Sequence, residues 1–196
     1  QEKPVWLYHQ DFDGNGQADP LIFHYMREKL VPFGTRDDLI KQIPSLKRQH
    51  NSYAEYSKSS DPSDLLSKEF IAKAAKKEAF EFRSGTYLQQ TDGSFLFTPF
   101  PFWAQLSPIH TLAWDEKSRQ VFMGGNFKDF RVDLGKNTAM AFQTFTFQNE
   151  KWMGMKAVNN IPNQAEIRKL QPIQVGGNKY QLAASNNGPL YWVKVD

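Results

Sequence analysis

The chain has no cysteine among its 196 residues. That excludes a disulfide framework and any cysteine-ligated zinc site. It also lacks an apolar run near the roughly 20 residues that a membrane helix needs. Charge of one sign is missing too: 24 Lys and Arg stand against 21 Asp and Glu, a net charge of +3. A balance this even, without a Lys/Arg block or an RNP-like motif, gives no electrostatic footprint for nucleic acid. Histidine is scarce, at four residues, and no His/carboxylate spacing typical of zinc occurs. No Gly-x-Ser-x-Gly elbow and no Gly-x-x-x-x-Gly-Lys-Ser/Thr loop is present, so Gly124-Gly125 is not a phosphate loop. Carboxylate pairs for glycoside hydrolysis remain open, because they can come from distant positions.

What is abundant is phenylalanine, at 16 residues, within a chain that is 40% hydrophobic and 23% charged. These are values of a folded globular protein with aromatic-rich β packing. The most informative stretch is Asp11-Phe12-Asp13-Gly14-Asn15-Gly16-Gln17-Ala18-Asp19. Side-chain oxygens fall at loop positions one, three, five and nine, on Asp11, Asp13, Asn15 and Asp19. A hard cation such as Ca²⁺ takes six to eight oxygens in a flexible shell, and this alternation supplies most of them. The backbone carbonyl of Gln17, at position seven, and water complete the set. Gly14 and Gly16 allow the tight curl. Without a cation the three aspartates repel one another. The bland alternative is a turn made of ordinary turn residues that binds nothing.

The loop is not an EF-hand. Position twelve, where an EF-hand needs a bidentate Glu, is Ile22. The flanks Val5 to Tyr8 and Leu21 to Tyr25 are β-branched and aromatic, as strands are. Pro20 disfavours helix at Asp19. The unit is therefore strand, calcium loop, strand.

Residues 35–78 change character. Thr35 or Asp37 caps a short helix through Asp38, Leu39, Ile40 and Ile43, which Pro44 interrupts. Asp61-Pro62-Ser63-Asp64 starts a further helix, with Leu65, Leu66, Phe70, Ile71, Ala74 and Ala75 at helical spacing and Lys73, Lys76 and Lys77 near its end. From Ala79 the pattern is β: Phe80-Glu81-Phe82, Thr86 to Leu88, an Asp92-Gly93 turn, Phe95 to Phe97, then Ile109 to Trp114, Gln120 to Met123, Ala141 to Phe147, Lys151 to Met153, Ile167 to Val175, Tyr180 to Ala184 and Leu190 to Val195. The proline-rich stretch 99–108 reads as an ordered loop, and Phe100, Phe102 and Trp103 as loop packing or a binding ledge. Short strands at this spacing predict propeller blades or a sandwich.

Two patterns resemble a known family. Asp-Phe-Asp-Gly-Asn-Gly-Gln-Ala-Asp-Pro-Leu-Ile (11–22) is similar to the calcium loop of FG-GAP/VCBS repeats, the blades of integrin-like β-propellers. Leu106-Ser107-Pro108-Ile109, Gly124-Gly125-Asn126-Phe127, Ala184 to Leu190 and the helical stretch Thr35 to Lys47 resemble the C-terminal part of VCBS-repeat proteins of Bacteroidetes, in the ASPIC/UnbV-like, cartilage-acidic-protein-like group. The resemblance spans nearly the whole chain. It implies an exported protein, periplasmic or at the cell surface, and mostly a family without known activity. The second calcium loop of that family corresponds here to Trp114 to Gln120. There only Asp115 keeps a carboxylate in register and Lys117 and Arg119 oppose a cation, so a plain turn is expected.

The expectation is thus a mainly β chain with a helical insertion, a partial β-propeller of antiparallel blades. Residues 1–34 form a blade segment with the calcium loop, 35–78 the helical insertion and 79–196 further blades, in one structural domain that is part of a larger propeller. Roughly three blades cannot close a ring alone. Open edges then invite a homo-oligomer, or contact with the rest of the propeller. The expected function is a calcium-stabilised binding or scaffold module with a protein or glycan ligand. Its rivals are a glycan-active enzyme with two facing carboxylates and a pure interaction fragment. The chain starts Gln-Glu-Lys-Pro-Val-Trp, read as a processed or excised chain.

Overall fold

The computed structural model describes residues 3–132, 134–156 and 160–195. It is mainly antiparallel β. The chain divides into two compact units, Gln1–Phe82 and Arg83–Asp196.

In the first unit, β1 (Val5–Gln10), β2 (Asp19–Met26) and β3 (Lys29–Pro32) form consecutive hairpins. Four short helices follow: α1 (Arg36–Gln42), α2 (Leu46–Gln49), α3 (Tyr53–Tyr56) and α4 (Lys68–Lys73). Then β4 (Ala75–Ala79) returns to pair with β1, giving the order β3-β2-β1-β4. Three consecutive strands with a fourth returning beside the first is Greek-key order. The helices lie between two strands of one sheet and so share its core.

That core follows from the period-2 pattern of β2. Asp19, Leu21 and Phe23 are buried while Pro20 and Ile22 face out. Leu21 and Phe23 pack with Tyr8, Leu39, Ile43, Leu46, Leu65 and Leu66. Thr35 caps α1 in a capping box with Asp38, and Ile43 ends the helix before Pro44. The single helix expected from Pro62 onward is absent. Pro62–Asp64 is one 3₁₀ turn, and Ser67 caps a separate α4 by accepting from the Phe70 amide. Lys76 and Lys77 belong to β4 rather than to a helix end, and Phe80 to Phe82 lie outside the strand. Pairing with β1, in register from Val5↔Ala79 to His9↔Ala75, overrides the helical propensity of Ala-Lys-Lys-Glu-Ala.

The second unit holds a hairpin of β5 (Gly85–Gln89) and β6 (Phe95–Pro99). It also holds β7 (Ile109–Asp115), β8 (Gln120–Gly125), a hairpin of β9 (Phe127–Arg131) and β10 (Gly135–Asn137), β11 (Phe142–Gln148), β12 (Lys151–Lys156), β13 (Ile167–Val175), β14 (Asn178–Ser185) and β15 (Leu190–Val195). β9 and β10 are additions to the strands read from sequence. The sheets run β12-β11-β8-β7 and β13-β14-β15, and among the described residues they are not closed into a ring. β8 is buried on both faces. Phe122 joins Phe142, Ile167, Ala183 and Val193 on one side, while Val121 and Met123 join Phe100, Met140 and Phe145 on the other.

Gly124-Gly125-Asn126 serves this packing. A Cβ on Gly124 would meet Ile167 Cγ2 at 2.5 Å, and one on Gly125 the Pro108 carbonyl at 2.4 Å. Asn126, fully buried at φ 76°, donates from Nδ2 to the Asn163 and Ala165 carbonyls and accepts from the Met140 amide. Every polar group of that buried amide side chain is satisfied.

Candidate functional site

The acidic loop joins β1 to β2, whose register closes at Gln10↔Asp19. Its curl is built by its own carboxylates. Asp11 Oδ1 accepts from the Gly14 and Asn15 amides at 2.8 and 3.1 Å, and Oδ2 from the Gly16 amide at 2.8 Å. Asp13 Oδ1 accepts from Asn15, and Asn15 Oδ1 from Gln17. Gly14 and Gly16 take φ of 76° and 85°, which only glycine adopts without strain. The Gly16 amide, with those of Gly14 and Asn15, holds the Asp11 carboxyl below the ordinary aspartate range.

These turns bring Asp11, Asp13 and Asp19 together. One carboxylate oxygen from each lies within 4.8 Å of the others. Asp19 is buried, 4% exposed, while Asn15 and Gln17 lie exposed on the loop. Between the ligand positions, Phe12 turns inward, buried at 4%, and meets Phe70 of α4 edge-on at 6.0 Å. The one sequence signal for this anchor is an apolar residue flanked by two acids. The donor set of the cluster is oxygen alone, which fits a hard cation and not a soft one.

Two histidines flank the acidic loop in sequence, and Asp115 and the aromatic stretch 100–103 stand apart from it. His9 and His24 lie on paired strands but are not brought together: His9 is opposite Pro20, four positions along the ladder from His24, roughly 13 Å. Asp115 sits at the β7–β8 turn, where Oδ2 accepts from the Ser118 hydroxyl at 2.7 Å and Lys179 Nζ stands 3.8 Å from Oδ1. The Ser118 hydroxyl, aided by Lys179, lowers the Asp115 carboxyl. The aromatic stretch divides: Phe100 is buried, while Phe102 and Trp103 are 68% and 50% exposed.

One charged group of the second unit is buried without having been singled out in the sequence. Glu166 accepts from the Lys128 amide at 3.2 Å, pairs with Arg168 and accepts from Asn186 Nδ2 at 3.3 Å. Burial pushes its carboxyl up, but the Lys128 amide and Arg168 outweigh it and hold the group below the ordinary range. Arg168 in turn lies against His110 and over the ring of Phe127. These contacts fasten β13 to β7 and β9.

Among the described residues no helix is long and apolar enough to cross a membrane. No protein-family model matches the chain, and neither a curated protein nor a solved structure matches it.

Proposed function

We propose that residues 11–19 bind one Ca²⁺ and that the chain is a calcium-stabilised binding or scaffold module of the VCBS-repeat kind, a part of a larger propeller. The observation that carries this reading is the convergence of Asp11, Asp13 and Asp19 within 4.8 Å. Backbone amides offset part of the repulsion among these three like charges, and a cation would offset the rest. Asp11, Asp13 and Asp19 would hold the ion, with Asn15 and the Gln17 carbonyl as further oxygen donors. Calcium would supply charge neutralisation and a clip between β1 and β2. Extracellular-type sites have dissociation constants of about 10⁻⁴ to 10⁻³ M, so the module belongs in a calcium-rich, exported setting. A thermal melt of the chain with millimolar calcium and then with chelator tests the reading. The expected result is a higher midpoint with calcium, and the same midpoint in both conditions for Asp13→Ala. Identical wild-type melts would remove the calcium claim.

A second reading, an interaction fragment using open sheet edges, is favoured by the β5–β6 hairpin. Its two strands pair only with each other among the described residues, and Gly-Thr-Tyr-Leu-Gln and Phe-Leu-Phe-Thr-Pro contain no charge to protect them. Light scattering across a concentration series tests it: association supports it, and a monomer throughout counts against it. The glycan-hydrolase reading gains no support from four cavities lined by described residues, each with one carboxylate or none.

A further inference from the structure

The second unit contains a cavity of about 370 Å³ on the face of the β12-β11-β8-β7 sheet that carries Val121 and Met123. Leu112 and Trp114 of β7, Val121 of β8, and Phe147 and Trp152 at the β11–β12 turn form its walls. Phe100 and Thr86 complete it. Trp152 is the hub: its ring centroid lies 4.8 Å from Phe147, 5.0 Å from Phe100 and 6.1 Å from Trp114.

The polar atoms of these walls are already used. Trp152 Nε1 donates to the Thr86 hydroxyl at 3.0 Å, and that hydroxyl donates to the Thr98 carbonyl at 3.4 Å. Trp114 Nε1 donates to Glu116 Oε2 at 2.7 Å. Both indoles therefore present carbon to the cavity. No charged side chain is in the lining among the described residues. Among the described residues the walls offer a sugar no free hydrogen-bonding side chain, so nothing there would orient its hydroxyls. An ion would fare worse. The volume falls in the usual range of small-molecule sites and is about two and a half times that of a cavity that takes benzene. Leu112 and Trp114, 51% and 46% exposed, leave an entrance.

We infer that this cavity is a binding site for a neutral, flat, apolar molecule of two or three rings. The ring edges and faces of Trp114, Trp152 and Phe147 offer the offset and edge-on contacts that aromatic ligands take. The inference does not depend on whether the acidic loop holds calcium, because every lining residue belongs to the second unit.

Titration of the whole chain with the neutral fluorophore N-phenyl-1-naphthylamine tests it, read by probe emission and by tryptophan quenching. The expected result is saturable binding of one probe per chain, with a Kd of roughly 1–100 µM. Leu112→Glu, which puts a charge at the entrance without removing core atoms, weakens binding by about tenfold or more. Trp114→Ala weakens it as well, and circular dichroism of both variants matches the wild type. Three outcomes would overturn the inference: no saturable binding by the wild type, variants that fold and bind as the wild type does, or tighter binding of the anionic 1-anilinonaphthalene-8-sulfonate. The last would assign the affinity to Arg119, which lies over the Phe147 ring, instead of to the apolar walls.

Discussion

The backbone amide of Phe12 donates to Asp19 Oδ2 at 2.9 Å, so the second residue of the acidic loop is tied to its ninth. The same residue sends its ring into the core against Phe70. The position of the buried carboxylate and the packing of α4 therefore meet in one residue. Phe12 divides the loop into an inner part that is hydrophobic core and an outer part that is acidic cluster.

Phe12→Ala removes a ring that is 4% exposed. It is expected to cost about 3–5 kcal/mol, as for other buried phenylalanines. By loosening the loop it also lowers calcium affinity. Urea unfolding with and without calcium measures both effects. A loss of stability below about 1 kcal/mol would contradict the anchoring role.

Asp11 gives the loop a pH dependence. Its folded-state carboxyl is depressed, chiefly by the Gly16 amide. The stability it contributes is present above the unfolded value of about 3.9 and is lost as pH falls through the lower folded value. In chelator, the midpoint difference between wild type and Asp11→Asn is expected to narrow steadily from pH 5 down past pH 3. A difference that stays flat across that window would rule out the carboxylate's part in shaping the loop.

Much of this loop was legible because the information is local. Alternating acids, glycines at positive φ and a strand on either side are all within residues 5–26. The hairpins after Ala79 were legible for the same reason, through Asp92-Gly93, Asn149-Glu150 and Gly176-Gly177. The return of β4 was not, because Ala75–Ala79 reads as helix until its pairing with β1 is known, with Lys76 placed over the Trp6 ring. β9 escaped because Phe-Lys-Asp-Phe-Arg alternates weakly and its pairing with β10 is irregular. The aromatic cavity joins residues from 86 to 152, and no short window contains it.

The Gly-Gly pair is a packing device, and its substitution tests that directly. Gly124→Ala drives a methyl to within 2.5 Å of Ile167 Cγ2 and 2.8 Å of Thr111 Cγ2. An overpacked site of this kind costs about 1–3 kcal/mol. Thermal melts should show the loss. A variant as stable as the wild type would mean that the β8–β13 contact yields freely.

Glu166→Gln keeps the size of the side chain but turns a carboxylate oxygen into an N–H donor beside the Lys128 amide or Arg168. The expected cost is about 2 kcal/mol, from the charge-assisted bonds lost at a buried site. Glu150→Gln, on an exposed turn, should change stability by less than about 0.5 kcal/mol. Equal effects in the two variants, followed by urea unfolding, would contradict a structural role for the Glu166 pair.

The most direct test of the central claim is calcium titration of the chain by isothermal calorimetry, after removal of divalent ions with chelator. One ion per chain is expected, with a Kd of about 10⁻⁴ to 10⁻³ M, and no binding by Asp13→Ala. A wild type that binds no calcium up to about 10 mM, a concentration tenfold above the weakest affinity expected of such a site, or an Asp13→Ala variant that binds it equally well, would contradict a calcium site at residues 11–19.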